Sequence, residues 1–169
     1  MKQLAKLAFN DEITGTTNRR YGEMKLSGLM EEVRSQGIEA GLLAIELGQI
    51  KNDNLLRGSQ LDDDTMKIIA KTLMSNLQEG DTVSRWDSNT FLLQLRNNRK
   101  STLLLLGDKL RSLISQCKLT SNFKGDKLYT AIGGTCLKKL DNAQGAIERA
   151  LQNARISLEL QNGKIEIDA

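Results

Sequence analysis

The sequence has no histidine and no proline, only two cysteines, and aromatic residues at just 4% of its 169 positions. Without histidine, a Ser-His-Asp triad, a histidine zinc site and a histidine general base are all excluded. The lack of proline argues against a Pro-rich linker between domains. Few aromatic residues and a net charge of only +3 argue against a nucleic-acid surface, so we expect no nucleic-acid partner.

Long apolar runs are also missing. No stretch approaches the roughly 18 apolar residues that a membrane-spanning helix needs, and residues 1–10 carry no cleavage site of a signal peptide. We therefore expect a cytoplasmic domain and no membrane contact by this segment. Cys117 and Cys136 have no metal-like spacing and are interpreted as two buried thiols, although pairing between them stays open.

Hydrophobic periodicity predicts helices that alternate with strands. The predicted helices cover residues 1–9, 18–37, 62–77, 101–117 and 143–160. The predicted strands cover residues 40–47, 82–85, 91–95, 127–137 and 165–167, with a hairpin turn at 86–90 and a loop at 52–58. This order favours an α/β fold, a mixed sheet with helices packed on its faces. We expect the strand at 40–47 to be central, between the strand ending at Arg85 and the strand beginning near Lys127.

A family resemblance begins at residues 11–20, Asp-Glu-Ile-Thr-Gly-Thr-Thr-Asn-Arg-Arg. This segment resembles the opening motif D-x-L-T-G-L-x-N-R-R of GGDEF domains, the diguanylate cyclases. Further matches follow in the family's order at residues 42–51, 131–134 and 150–155. Residues 85–91, Arg-Trp-Asp-Ser-Asn-Thr-Phe, stand where the family has its signature R-x-G-G-D-E-F.

The resemblance covers about residues 7–167 and implies a fold. It implies a GGDEF-type (nucleotidyl-cyclase-like) α/β domain with a central mixed β-sheet, helices on both faces and a β-hairpin that carries the signature turn. Residues 10–169 would form this domain, and residues 1–9 would be the end of a signalling or linker helix.

The resemblance also implies a chemistry that this sequence has altered. In the family two GTP molecules condense to cyclic di-GMP, with metals held by an Asp of the first strand and an acidic residue in the third place of the signature. Here Glu46 replaces that Asp, and the third place holds Asn89, an amide where Mg²⁺ prefers a carboxylate. We expect no catalytic residue in the signature turn, and Glu46 remains as the one candidate metal ligand. The turn reads Asp87, Ser88, Asn89, Thr90 and Phe91.

Some nucleotide contacts of the family are matched. Asn54 and Asp63 match positions that hydrogen-bond the guanine edge, while Lys51 and Arg155 match basic residues that meet the phosphates. Each residue also has an alternative interpretation. Asn54 would cap a loop and Asp63 would be the N-terminal acid of its helix. Lys51 and Arg155 would be solvated surface charges. The resemblance therefore predicts weak residual GTP binding, no required cofactor, and Mg²⁺ only where GTP binds.

Taken together, these features predict a catalytically inactive GGDEF domain that acts as a regulatory, dimerisation or interaction module in bacterial cyclic di-GMP signalling. GTP, a second copy, and neighbouring sensor and EAL-type domains of a longer chain are the candidate partners. The resemblance is also compatible with this domain being the cytoplasmic part of a membrane-anchored protein. Two alternatives stay open: an active diguanylate cyclase with an unusual signature, and a dimerisation module without ligand.

Overall fold

A computed structural model describes residues 8–51, 54–56, 61–117, 127–159 and 165–168 of the chain. The helices of this part are α1 (Arg19–Gln36), α2 (Asp63–Met74), α3 (Lys100–Ser115) and α4 (Ala143–Glu159). The strands are β1 (Thr17–Asn18), β2 (Ala40–Lys51), β3 (Asn54–Leu56), β4 (Thr82–Asp87), β5 (Thr90–Arg96), β6 (Lys127–Cys136) and β7 (Glu166–Asp168).

The strands form one mixed sheet in the order β1-β4-β5-β2-β6-β7, and β3 pairs with β2 outside this path. β2 is antiparallel to both β5 and β6, whereas β1 pairs with β4 and β7 with β6 in parallel. The central position predicted for residues 40–47 is therefore confirmed. One predicted neighbour was wrong: β5, not the strand containing Arg85, lies beside β2. The hairpin places its second, more completely buried strand inward and leaves β4 farther from the centre.

Two apolar layers cover the sheet. Alternate residues of β2 point to opposite faces, so Leu43 and Ile45 join the cluster under α2 and α3, while Leu42 and Ala44 join the cluster under α1 and α4. All four side chains are fully buried. The predicted arrangement of helices on both faces of a mixed sheet is confirmed.

Local signals explain where α1 and α2 begin and where α1 ends. The Asn18 side chain accepts a hydrogen bond from the Tyr21 N–H and caps α1, and Gly37 ends α1 in a left-handed conformation (φ 67°). The Asp62 carboxylate caps α2 by accepting from the Thr65 N–H at 2.7 Å. Short polar side chains satisfy N–H groups that a helix start leaves unpaired.

The structure corrects three details of the predictions. The predicted loop at 52–58 contains strand β3, and the hairpin turn is narrower than 86–90 because Trp86 and Asp87 belong to β4 and Thr90 to β5. Cys117 and Cys136 are free thiols but half-buried rather than buried. Of the predicted lead helix, only residues 8 and 9 lie within the described part, and they are helical. No helix in the described part of the chain is both long and apolar enough to cross a membrane.

Acid should destabilise the fold through Asp141. Burial raises the pKa of this carboxyl, but hydrogen bonds from Arg149 and from the Lys138 N–H outweigh it and hold the pKa below its usual range. A lowered carboxyl pKa adds stability above the unfolded pKa of about 3.9 and loses it as pH falls through the folded value. Urea unfolding between pH 7 and pH 3 should show this loss. Asp141→Asn should be less stable at pH 7 and show a shallower pH dependence, whereas equal slopes would contradict the assignment.

Candidate nucleotide cleft and signature turn

The turn between β4 and β5 is closed by its own side chains. Asp87 pairs with Thr90 across the hairpin after a register shift at Trp86, so Ser88 and Asn89 form the turn. The Asp87 carboxylate accepts a hydrogen bond from the Asn89 N–H at 3.1 Å. Neither Ser88 nor Asn89 has a positive φ. This turn therefore has no backbone requirement for glycine, which explains how Asp87 and Ser88 stand where the family has two glycines.

Asn89, in the third place of the signature, lies inside the protein with only 4% of its surface exposed. Its backbone carbonyl accepts from the Leu47 N–H of β2 at 2.9 Å, and its side-chain carbonyl faces the Leu61 N–H at 3.5 Å. Asn89 thus ties the turn to the central strand through its backbone carbonyl, and to the segment that leads into α2 through its side chain. A carboxylate at this position would accept from the same N–H and also offer a negative charge to a cation, whereas the amide is neutral.

A cleft of about 710 Å³ opens between this turn and α4. Glu46 reaches it from β2, where it pairs in register with Thr90, and Leu151 and Arg155 reach it from α4. Two predicted site residues, Glu46 and Arg155, are therefore brought together with Asp87, Ser88, Asn89 and Thr90. Phe91 is fully buried in the apolar core instead, where it anchors the start of β5.

The other predicted nucleotide contacts lie elsewhere or outside the described side chains. Asp63 is exposed in the first turn of α2, where the helix dipole favours an acid, and it does not line the cleft described above. The backbones of Lys51 and Asn54 pair with each other where β2 meets β3, but their side chains lie outside the described part of the structure. The proposed contacts of Asn54, Asp63 and Lys51 with a nucleotide stay predictions.

An ion pair connects the opening motif to the signature turn. Arg85 donates to the Asp11 carboxylate at 3.3 Å and to the Ser88 carbonyl at 3.0 Å, and its side chain is only 9% exposed. Asp11 also accepts from the N–H and the hydroxyl of Thr14. Burial raises the pKa of Asp11, but the Thr14 hydrogen bonds and the Arg85 charge keep it below its usual range. The opening motif thus holds Arg85, and Arg85 holds the turn.

Sequence reasoning missed one contact beside the turn. The Arg19 guanidinium lies 4.6 Å from the centre of the Trp86 ring, a cation–π geometry. Arg19 belongs to the Asn-Arg-Arg end of the opening motif, and this motif was the sequence signal that could have identified it.

At the other end of β4, Asp81 accepts from the N–H groups of Gln78 and Arg96. The family's product-inhibition motif R-x-x-D would have its Asp at residue 81, but its Arg position is Gln78, and this Asp81 serves as a turn residue.

The donor set at the cleft fits poorly with a pair of divalent cations. Carboxylates are the preferred Mg²⁺ ligands, and two ions need several of them together. In the described part of the chain no three His, Cys, Asp or Glu side chains come close enough to hold a metal ion. Glu46 is the carboxylate left on β2, while the Asp87 carboxylate accepts from the Asn89 N–H.

Comparison with solved structures places this fold among known domains. The chain superposes with a TM-score of 0.83 on the coiled coil and GGDEF domain of DgcB from Caulobacter crescentus in complex with c-di-GMP, at 17% identity, covering 99% of this chain and 89% of that one. It superposes with a TM-score of 0.74 on the S helix-GGDEF-EAL part of LapD from Vibrio cholerae, bound to c-di-GMP, at 12% identity, covering 99% of this chain and 38% of that one.

Sequence comparison gives the same family. The chain is 29% identical over 120 residues to diguanylate cyclase DgcM from Escherichia coli strain K12, a match that covers 70% of this chain and 29% of DgcM. It therefore spans less than a third of that relative's length. The family model described as "Diguanylate cyclase, GGDEF domain" matches residues 8–165, and the chain belongs to the GGDEF domain family.

Proposed function

We propose that this chain is a catalytically inactive GGDEF domain that acts as a regulatory or interaction module in bacterial cyclic di-GMP signalling. The observation that carries the proposal is Asn89. It occupies the third place of the signature, where the family has an acidic residue, and its buried amide is used to tie the turn to Leu61. The turn of this hairpin therefore carries a hydrogen-bonded neutral group where the family has a charged ligand.

The charges at the cleft also support a catalytically inactive domain. Phosphoryl transfer depends on metal ions and cationic groups that neutralise the phosphate oxygens. Here Asp87 brings a negative charge to the cleft, and Arg155 is the one cation among the described residues that line it. Two like charges about 4 Å apart repel by about 4 kcal/mol at an effective dielectric constant near 20. We therefore expect a nucleoside triphosphate to bind weakly.

One observation favours the alternative, an active diguanylate cyclase with an unusual signature. Glu46 remains in the cleft beside Thr90, and a single glutamate can ligate Mg²⁺ together with phosphate oxygens. Catalysis would then depend on one metal ion instead of two, with an amide at the position of the second carboxylate ligand. We therefore consider the active cyclase less well supported than the inactive domain.

The relatives of this chain support the partners that we propose for the module. LapD joins a GGDEF domain to an EAL domain, and this chain spans 29% of DgcM. These facts support neighbouring sensor and EAL-type domains in a longer cytoplasmic chain. Residual GTP and a second copy of the domain are the further partners that we propose.

Calorimetric titration with GTP and with ATP tests the proposal. We expect GTP to bind at about 0.1–1 mM, and ATP to bind more weakly because adenine lacks the 2-amino donor that Asp63 would accept. Asp63→Ala should weaken the binding of GTP and leave the binding of ATP unchanged. Asp64→Ala, on the same helix turn, is the matched control and should change neither. Mg²⁺ should change the GTP affinity by less than about threefold, since one carboxylate remains at the cleft.

The other outcomes are equally informative. A tenfold or larger gain in GTP affinity with Mg²⁺, lost in Glu46→Gln, would contradict the inactive assignment and favour the active cyclase. Equal binding of GTP and ATP, or no binding at millimolar concentration, would make the pocket vestigial. In that case the surfaces of the domain would carry its role alone.

A further inference from the structure

A second cavity, which we call the basal pocket, lies at the end of the sheet opposite the signature turn. It has a volume of about 330 Å³ and forms where β2 begins at Ala40, where β6 ends at Cys136, and beside Asn98, which follows β5. Glu46 lies six residues farther along β2, about 20 Å away at about 3.3 Å per residue. The basal pocket and the nucleotide cleft are therefore separate.

The chemistry of the basal pocket combines an apolar floor with a cationic rim. Three basic side chains line it, and Glu39 is the one acidic residue among the described residues of its lining. The three basic residues are exposed. The floor consists of Val33, Ile38, Ala40 and Leu137, and the rim of Arg99, Lys138 and Lys139.

The turn that carries the two lysines is held firmly. The Asp141 carboxylate accepts from the Lys138 N–H at 2.8 Å and from two Arg149 nitrogens at 2.9 and 2.7 Å. The Asp141 N–H in turn donates to the Lys138 carbonyl at 3.0 Å. This turn presents Leu140 with 99% of its surface exposed. A preorganised turn loses little entropy when a partner docks on it.

We propose that the basal pocket binds an acidic peptide segment of a partner protein, with one bulky apolar side chain of that segment inserted on the floor. Charge complementarity supports an acidic occupant, because the rim offers three cations against one carboxylate. The apolar floor provides the centre that a protein interface needs, and the exposed Leu140 directly follows the two rim lysines in the chain. The inference rests on the proposed regulatory role and deepens it by naming the surface and the partner's chemistry.

Cys136 provides a direct probe, since it lines the basal pocket, and Cys117 at the end of α3 does not line it. The probe ligand is a decapeptide of glutamates around a central Leu-Phe pair. Two control peptides replace its glutamates with lysines or its Leu-Phe pair with Gly-Gly. Iodoacetamide alkylation of each cysteine is followed by mass spectrometry at pH about 9, because burial raises the pKa of the Cys136 thiol while lysines stay charged.

At a peptide concentration about four times its Kd, alkylation of Cys136 should slow about fivefold, with Cys117 unchanged. Both control peptides should protect less. Lys138→Glu with Lys139→Glu should abolish the protection, while the matched pair Lys25→Glu with Lys109→Glu, on exposed faces of α1 and α3, should retain it.

No protection at about 1 mM peptide, or equal protection by the lysine peptide, would overturn the inference. Equal protection by a small sulfonate dye would assign the pocket to a small organic anion instead. Protection of Cys136 that rises with protein concentration alone would assign it to a second copy. Because the readout is neither GTP binding nor cyclisation, the inference and the proposed function can fail independently.

Discussion

Replacing Arg85 with alanine should lower the free energy of unfolding by about 2–3 kcal/mol. Removing one partner of a buried ion pair costs about 3–5 kcal/mol when the remaining charge has no compensation. Here the remaining Asp11 side chain is 22% exposed and keeps its Thr14 hydrogen bonds, so we expect a smaller value. The Ser88 carbonyl also loses its donor, so the signature turn should loosen.

Urea unfolding of the variant gives this value. Arg111→Ala is the matched control, because Arg111 pairs with Asp108 on the surface of α3, where such pairs contribute about 0–1 kcal/mol. A double-mutant cycle with Asp11→Ala isolates the coupling between Arg85 and Asp11. Equal effects of Arg85→Ala and Arg111→Ala would show that the opening motif does not hold the turn.

Gly133→Ala should destabilise the fold by about 2–3 kcal/mol, because overpacking a filled core typically costs 1–3 kcal/mol. A Cβ at this position of β6 would lie 2.0 Å from the Ala154 backbone nitrogen and 2.2 Å from the Asn153 carbonyl carbon. Both atoms belong to the backbone of α4, so no side-chain rotation relieves the clash and the helix must move. Because Arg155 follows Ala154 on α4, the nucleotide cleft should change as well.

Thermal unfolding of Gly133→Ala, with Gly28→Ala as the matched control, tests this prediction. Gly28 lies in α1 with open space where a Cβ would stand, so alanine there should stabilise the helix by about 0.5–1 kcal/mol. Opposite signs of the two changes are expected. If both variants unfold at the same temperature, β6 and α4 do not pack as closely as described.

Long periodic segments were predictable from the sequence. The run at 40–47 has the composition of a strand buried on both faces, and it is the central strand β2. Asn18 and Gly37 mark the limits of α1 because capping chemistry is local. Two short strands were not predicted: β1 has two residues and β3 three, and neither is long enough to show a period.

Contacts between residues that are distant in sequence could not be predicted either. The matches to the family's motifs identified Glu46, Arg155 and the turn, and the structure brings these together in one cleft. The ion pair between Asp11 and Arg85 joins positions 74 residues apart, and no local pattern specifies it. The inward position of Asn89 likewise depends on Leu61, which reaches the turn only through the path of the chain into α2.

Formation of cyclic di-GMP tests the central claim most directly. The chain is incubated with GTP and either Mg²⁺ or Mn²⁺, the product is measured by mass spectrometry, and an active diguanylate cyclase is assayed alongside as the positive control. We predict no product above a blank without protein, because Asn89 offers an amide where the metal needs a carboxylate. Product above the blank that disappears in the Glu46→Gln variant would contradict the claim and make this domain a working cyclase.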